Sequence, residues 1–270
     1  MKKLLLLAAV FTFAASYAYG DQKNAAQRVI DSGVLRCGYA TSPPVLVKDA
    51  NTGKLSGSDV EIVEKIGERL GVKVEWTEEV GWGNFIEGLR TNRYDMMCGS
   101  LWPDAARIKF LSITRPVYFD RLLAYVRVDD TRFDGDLAKI NSPDIKIAAL
   151  DGDASYSMAQ NNFPKAKILA LPQMAVVADM MMSLTTKKAD VIFLDPVRTA
   201  VFEKENKGKI RPVKDVEPLQ VIGTSFGVNG GEFRLRDMID TALRELINDG
   251  TVEKLLAKTS ADLMPPKKAY

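Results

Sequence analysis

The chain has 270 residues, with 37 Lys and Arg against 35 Asp and Glu, and this near balance gives no electrostatic case for a nucleic-acid partner. It contains no histidine, which excludes mechanisms built on an imidazole base or a histidine metal site, the common nucleophilic triads among them.

Taken in order, Met1-Lys-Lys, an apolar run over residues 4–15 and small residues around Ala18 and Gly20 make the three parts of a secretory signal peptide, assigned to residues 1–20. Cleavage fits after Ala18 or after Gly20, the second being preferred, and no cysteine follows the run to carry a lipid anchor. The exported chain, about 250 residues, suffices for one large domain or two lobes. Export would allow Cys37 and Cys98 to pair; two buried free thiols are the equal alternative, because their geometry is not written in the sequence.

Residues 34–39 read as a strand leaving into Ala40-Thr-Ser-Pro-Pro44. A turn at 51–57 leads to a helix that Ser58 or Asp59 can cap, with Ile62, Val63, Ile66 and Leu70 on one face and Gly71 at its end. A strand at 72–76 and a short helix at 84–91 follow. The second half repeats this grammar: strand 146–150, a turn and helix start at Asp151-Gly-Asp-Ala-Ser155, strand 168–171, helix 173–185, strand 190–194 and a helix after Pro196. A last strand at 221–228 precedes two closing helices, 233–247 and 251–258. Strand and helix alternate throughout, the mark of α/β lobes with parallel sheets.

Residues 94–107 organise this pattern. The run 94–99 reads as a buried strand, and Pro103 and Asp104 suit the start of a helix. Arg107 opposes that helix's dipole, so an anion is expected beside it. Residues 89–97 and 184–192 share Leu, Thr, a basic residue, Asp and an apolar strand start at a constant offset of 95, which places Ser100 on Asp195. Ligands of open parallel sheets gather outside the C-terminal strand ends, so two facing lobes would bring Ser100, Arg107, Asp153 and Asp195 into one cleft.

Several segments together resemble the extracytoplasmic solute-binding proteins of the amino-acid-binding family 3 of ABC importers: Gly53-Lys-Leu-Ser-Gly-Ser-Asp59-Val-Glu-Ile62, Phe85-Ile-Glu-Gly-Leu89, Arg93-Tyr-Asp95 through Arg107, Pro116-Val-Tyr118, Lys188-Ala-Asp-Val-Ile-Phe-Leu-Asp195 and Asp249-Gly-Thr251. The likeness spans residues 29–259. It implies a periplasmic-binding-protein-like type II α/β fold. Two lobes with mainly parallel sheets, residues 21–120 plus 221–270 and residues 121–220, would be joined by crossover segments near 119–127 and 218–226, with a ligand cleft between. It further implies a monomeric periplasmic receptor, without cofactor, metal or catalytic residue, that closes on an amino acid and delivers it to the membrane permease of an ABC transporter.

By the family pattern Arg107 would hold the ligand carboxylate, Asp195 its ammonium group, Trp82 would cover the side chain and Ser100 would supply a small polar contact. Trp102 stands where a small hydroxyl residue is usual, either as a second aromatic wall or as packing, and Asp104 either replaces threonine at the site or pairs with Arg107. In the second lobe Ser155 stands in for a hydroxyl pair, or Asp153 reads a basic group; Tyr39 is a further candidate for the cleft wall. Two other readings stay open on this scaffold, a cyclohexadienyl dehydratase-like enzyme and the ligand-binding module of a sensory pathway.

Overall fold

The expected alternation runs through the computed structural model, which describes residues 24–267; the signal segment lies outside the described residues. In chain order the first half holds α1 (Ala25–Ser32), β1 (Val34–Tyr39), a small hairpin of β2 (Val47–Lys48) and β3 (Leu55–Ser56), α2 (Ser58–Leu70), β4 (Lys73–Glu79), α3 (Phe85–Arg90), β5 (Met96–Leu101), β6 (Leu111–Ile113) and β7 (Tyr118–Arg127). The second half follows with β8 (Lys146–Leu150), α4 (Ala154–Asn162), β9 (Lys167–Leu171), α5 (Val177–Thr185), β10 (Ile192–Leu194), α6 (Pro196–Glu205), β11 (Ile210–Pro212), β12 (Gln220–Asn229), α7 (Phe233–Asn248) and α8 (Thr251–Thr259).

In the first lobe β1 lies between β4 and β5, parallel to both. Helix α2 buries Ile62, Val63 and Ile66 against this sheet at helical spacing and ends on Gly71, whose φ of 67° is the left-handed conformation a side chain would resist. Leu235, Ile239, Leu243 and Leu246 of α7 bury in the same core. In the second lobe β8 and β9 pair in parallel, and Phe163 stacks on Phe193 at 5.1 Å.

Two long strands carry the chain between the lobes. Residues Tyr118–Leu122 of β7 pair antiparallel with Gln220–Thr224 of β12; beyond that region β7 pairs with β10 and β11, while β12 pairs with β5 and β6. The crossover segments are thus strands of one twisted sheet, and the parallel pairs flank them.

The internal repeat is structural. Asn92 (φ 55°) and Lys187 (φ 60°), 95 residues apart, are both left-handed. The next amides, Arg93 and Lys188, each donate at 2.9 Å to the carbonyls of Gly88 and Ser183. Asp95 Oδ2 then accepts from Arg36 N at 2.8 Å, as Asp190 Oδ2 accepts from Lys146 N at 2.9 Å. Each copy therefore ends its helix with the same turn and ties an aspartate to the neighbouring parallel strand.

One alternative left open is decided, and one expectation is overturned. Cys37 and Cys98 are bonded, joining β1 to β5 with Cα atoms 5.4 Å apart. The helix expected after Pro103 does not form: residues 105–109 make turns. Asp104 Oδ1 accepts the amides of Ala106 (2.8 Å) and Arg107 (3.0 Å) as a helix cap would, and Ile108 N donates to the Asp104 carbonyl at 3.0 Å, but the turn goes no further because the chain swings back to lay β6 beside β12.

Candidate ligand cleft

Strand β5 delivers Ser100 to the space between the lobes. Its amide and hydroxyl both donate to Asp59 Oδ2 at 2.8 Å, and its Oγ lies 2.6 Å from Tyr118 Oη. Asp59, expected only to cap α2, instead turns inward from the helix's first turn and anchors this strand end. Burial, with Asp120 adding repulsion, pushes its carboxyl up to about 6 against the Ser100 hydrogen bonds and the Arg198 charge.

Behind Ser100 lies a buried charge cluster centred on Arg198, in the first turn of α6. Asp195 caps that helix by accepting from Arg198 N at 2.9 Å, and its other oxygen takes Arg198 Nη1 at 2.7 Å. Arg198 Nη1 also reaches Asp120 Oδ2 (3.3 Å), and Nε donates to Ser42 Oγ (2.6 Å). Asp120 further accepts from Trp102 Nε1 at 3.0 Å, and the Trp102 ring lies 5.7 Å from the guanidinium. Burial opposes the Arg198 charge, but Asp195, Tyr118 and Asp120 outweigh it and hold its pKa well above the usual value. Burial and the charge of Asp195 push Asp120 up to about 6.

A small cavity of about 40 Å³ opens beside this cluster, with Trp82, Ser100 and Trp102 on the first lobe's side. Phe193, Met180, Asp153, Ser155 and Arg198 face them from the second lobe. Asp153 caps α4 through Ser155 N at 2.9 Å, and Ser155 Oγ accepts from Leu150 N at 3.3 Å. Of the residues read from the sequence, Ser100, Trp82, Trp102, Ser155 and Asp153 are therefore brought together.

Three are not. Tyr39 packs edge-on against Trp76 at 5.8 Å, within a separate cluster with Leu46 and Val60. Asp195 is fully buried with both carboxylate oxygens spent on its own helix and on Arg198, so it is not on the cavity wall. Arg107 is also off the wall. Its Nε donates to Asp104 at 2.9 Å, Nη2 to the Trp102 carbonyl at 2.5 Å and Nη1 more weakly to the Trp82 carbonyl at 3.5 Å, with Asp153 Oδ2 3.6 Å from Nη1. Asp104 is thus Arg107's partner. The charged wall residue missed was Arg198, although it carried the signal used for Arg107, a cation in the first turn of a helix; the apolar wall residues Phe193 and Met180 were missed too, because their spacing reads as core.

Two α/β lobes, two crossing strands and a lined cleft between them define a periplasmic-binding-protein-like fold. The chain belongs to the bacterial extracellular solute-binding proteins, family 3, whose model matches residues 35–260. It is 28% identical over 267 residues to a probable amino-acid ABC transporter-binding protein of Haemophilus influenzae, covering 94% of this chain and 96% of that one. It is 26% identical to the L-cystine-binding protein TcyA of Bacillus subtilis, over 84% and 81% of the two chains. In fold it is similar to the ancestral amino acid-binding protein AncCDT-1, a precursor of cyclohexadienyl dehydratase, with a TM-score of 0.75, 24% identity and coverage of 87% and 99%.

Proposed function

We propose that the protein is a monomeric periplasmic receptor, released by removal of its signal peptide, that captures a small zwitterionic ligand by cleft closure and delivers it to the permease of an ABC importer. An amino acid or close analogue is the ligand class. The observation that carries this reading is the cavity wall: its charged side chains are one cation, Arg198, and one anion, Asp153, set among two indoles, a phenyl ring and two hydroxyls. Such a wall complements a molecule bearing both charges and an apolar part. The names of the relatives point the same way, since the Haemophilus influenzae and Bacillus subtilis proteins are both called binding proteins.

Thermal-shift screening of the purified protein against an amino-acid panel tests this reading, with stabilisation by one or a few members expected. Absence of any shift, or of calorimetric heat at millimolar ligand, would overturn it. Formation of more than one equivalent of product from a bound amino or cyclohexadienyl acid would replace the receptor with an enzyme on the same scaffold.

A further inference from the structure

We propose that cleft closure takes up a proton at Asp120, so that ligand capture strengthens as the medium becomes more acid. This deepens the receptor reading above and rests on it. Asp120 lies on β7 where the two crossover strands pair, opposite Ile222 of β12, and it is 1% exposed. Both lobes cover it. Its Oδ2 accepts from Trp102 Nε1 of the first lobe at 3.0 Å and from Arg198 Nη1 of the second at 3.3 Å. Oδ1 makes no hydrogen bond to any described residue.

The charges around Asp120 do not balance. Facing it are Arg198 and Asp195 from α6, Asp59 from α2 and Tyr118 from its own strand. Trp102, Ser42 and Ser100 complete the cluster without charge. Burial holds the Tyr118 hydroxyl well above its usual value, so the ring stays neutral. Three carboxylates therefore share one guanidinium, and Asp195 is its nearer partner at 2.7 Å. A buried carboxylate without a full counter-charge favours its neutral form. The proton comes from solvent and sits on Asp120 Oδ1, which leaves Oδ2 bonded to both lobes.

Closure creates this environment. Arg198 stands in the wall of two cavities, the one described above and a second of about 250 Å³ between Thr41, Ser42 and Pro43 of the first lobe and Val177, Met181 and Phe202 of the second. Parting the lobes breaks the bond from Arg198 to Ser42 and admits water to Asp120. Asp59 differs, because its hydrogen bonds come from Ser100 of its own lobe and its burial belongs to folding. In the closed cleft burial, then the charge of Asp195, lifts the Asp120 carboxyl from the ordinary 3.8 to about 6. The closed form holds the proton more tightly than the open form. Its advantage is complete below about pH 4 and is lost as pH rises through about 6.

The test is calorimetry on the mature full chain with every standard amino acid that binds except histidine, whose own ring titrates in this range. Between about pH 7.5 and pH 5 the wild-type affinity should rise about tenfold. At about pH 6, buffers of different ionisation enthalpy should report uptake of about half a proton per molecule bound. Asp120→Asn keeps an acceptor for Trp102 and Arg198 but cannot titrate; near-ultraviolet circular dichroism establishes that it is folded. Its affinity should change by less than about twofold over the same range, with no proton taken up. Asp59→Asn should retain the wild-type dependence.

Affinity independent of pH, or protons released on binding, would overturn the proposal. So would a dependence that survives intact in Asp120→Asn or vanishes in Asp59→Asn. If Asp120→Asn does not fold, the wild type decides: uptake that persists in Asp59→Asn supports the proposal, and no uptake overturns it. No binding by any amino acid would end the receptor reading, and small-angle scattering of the ligand-free chain then decides this one. Compaction between about pH 7.5 and pH 5 would support proton-driven closure, and an unchanged profile would overturn it.

Discussion

Gly83 of the first lobe faces the Asp151 carbonyl of the second so closely that a methyl group added at Gly83 would sit 2.2 Å from that oxygen. Gly81 meets the Gln173 carbonyl in the same way, at 2.4 Å. The opposing surfaces are backbone, which cannot swing aside as a flexible side chain would.

Gly83→Ala should therefore hold the cleft open without touching the wall of the cavity. Small-angle scattering with saturating ligand is expected to show compaction in the wild type and little or none in the variant, together with weaker binding. Equal compaction in both would show that the seam is not what limits closure.

The Asp104–Arg107 pair is a second point of leverage. Both side chains are about nine-tenths buried, and Asp104 also holds the two amides that shape the turn after β5. Asp104→Ala leaves the guanidinium without its nearest counter-charge, and a loss of about 3 kcal/mol is expected in denaturant titration. A loss below about 1 kcal/mol would mean that Asp153 replaces Asp104 as its partner.

Asp59 gives a pH dependence whose sign is set by burial. Its carboxyl is raised from the ordinary value of 3.8 to about 6, so the folded state binds the proton more tightly than the unfolded state. The stabilisation is complete below about pH 4 and is lost as pH rises through about 6. Asp59→Asn keeps an acceptor for Ser100 and removes the titration. The melting temperature of the wild type, relative to this variant, should fall between pH 4 and 6; a constant difference across that range would contradict the assignment.

The bond between Cys37 and Cys98 spans a sequence separation of 61 residues. Closing a loop of that length restricts the unfolded chain by about 4 kcal/mol in the chain-entropy account. Denaturation with and without reductant should reveal a loss of that order. Unchanged stability in protein shown to be reduced would place the contribution elsewhere.

Much of the fold was legible because its signals are local. The 95-residue repeat showed in Leu89, Thr91, Asp95 and their counterparts, since a helix stop, a left-handed turn residue and a strand-tying aspartate act within a few positions of one another. The helix expected after Pro103 went wrong for a related reason. Proline and aspartate also suit a turn, and the need to return β6 to the sheet decided between the two.

The sequence by itself determined the order of strands and helices and the duplication, because apolar periodicity and turn chemistry depend on neighbours along the chain, and the resemblance of its motifs pointed to the family. Tertiary structure alone decided which charges line the cavity. Asp104 and Arg107 are three residues apart, as are Asp195 and Arg198, so those two pairings could be foreseen, but that Ser42 and Asp120 would also meet Arg198 could not. Those partners come from separate segments and meet only when β7 and β12 bring the lobes together. The desolvation that gives each buried charge its weight appears only once that packing exists.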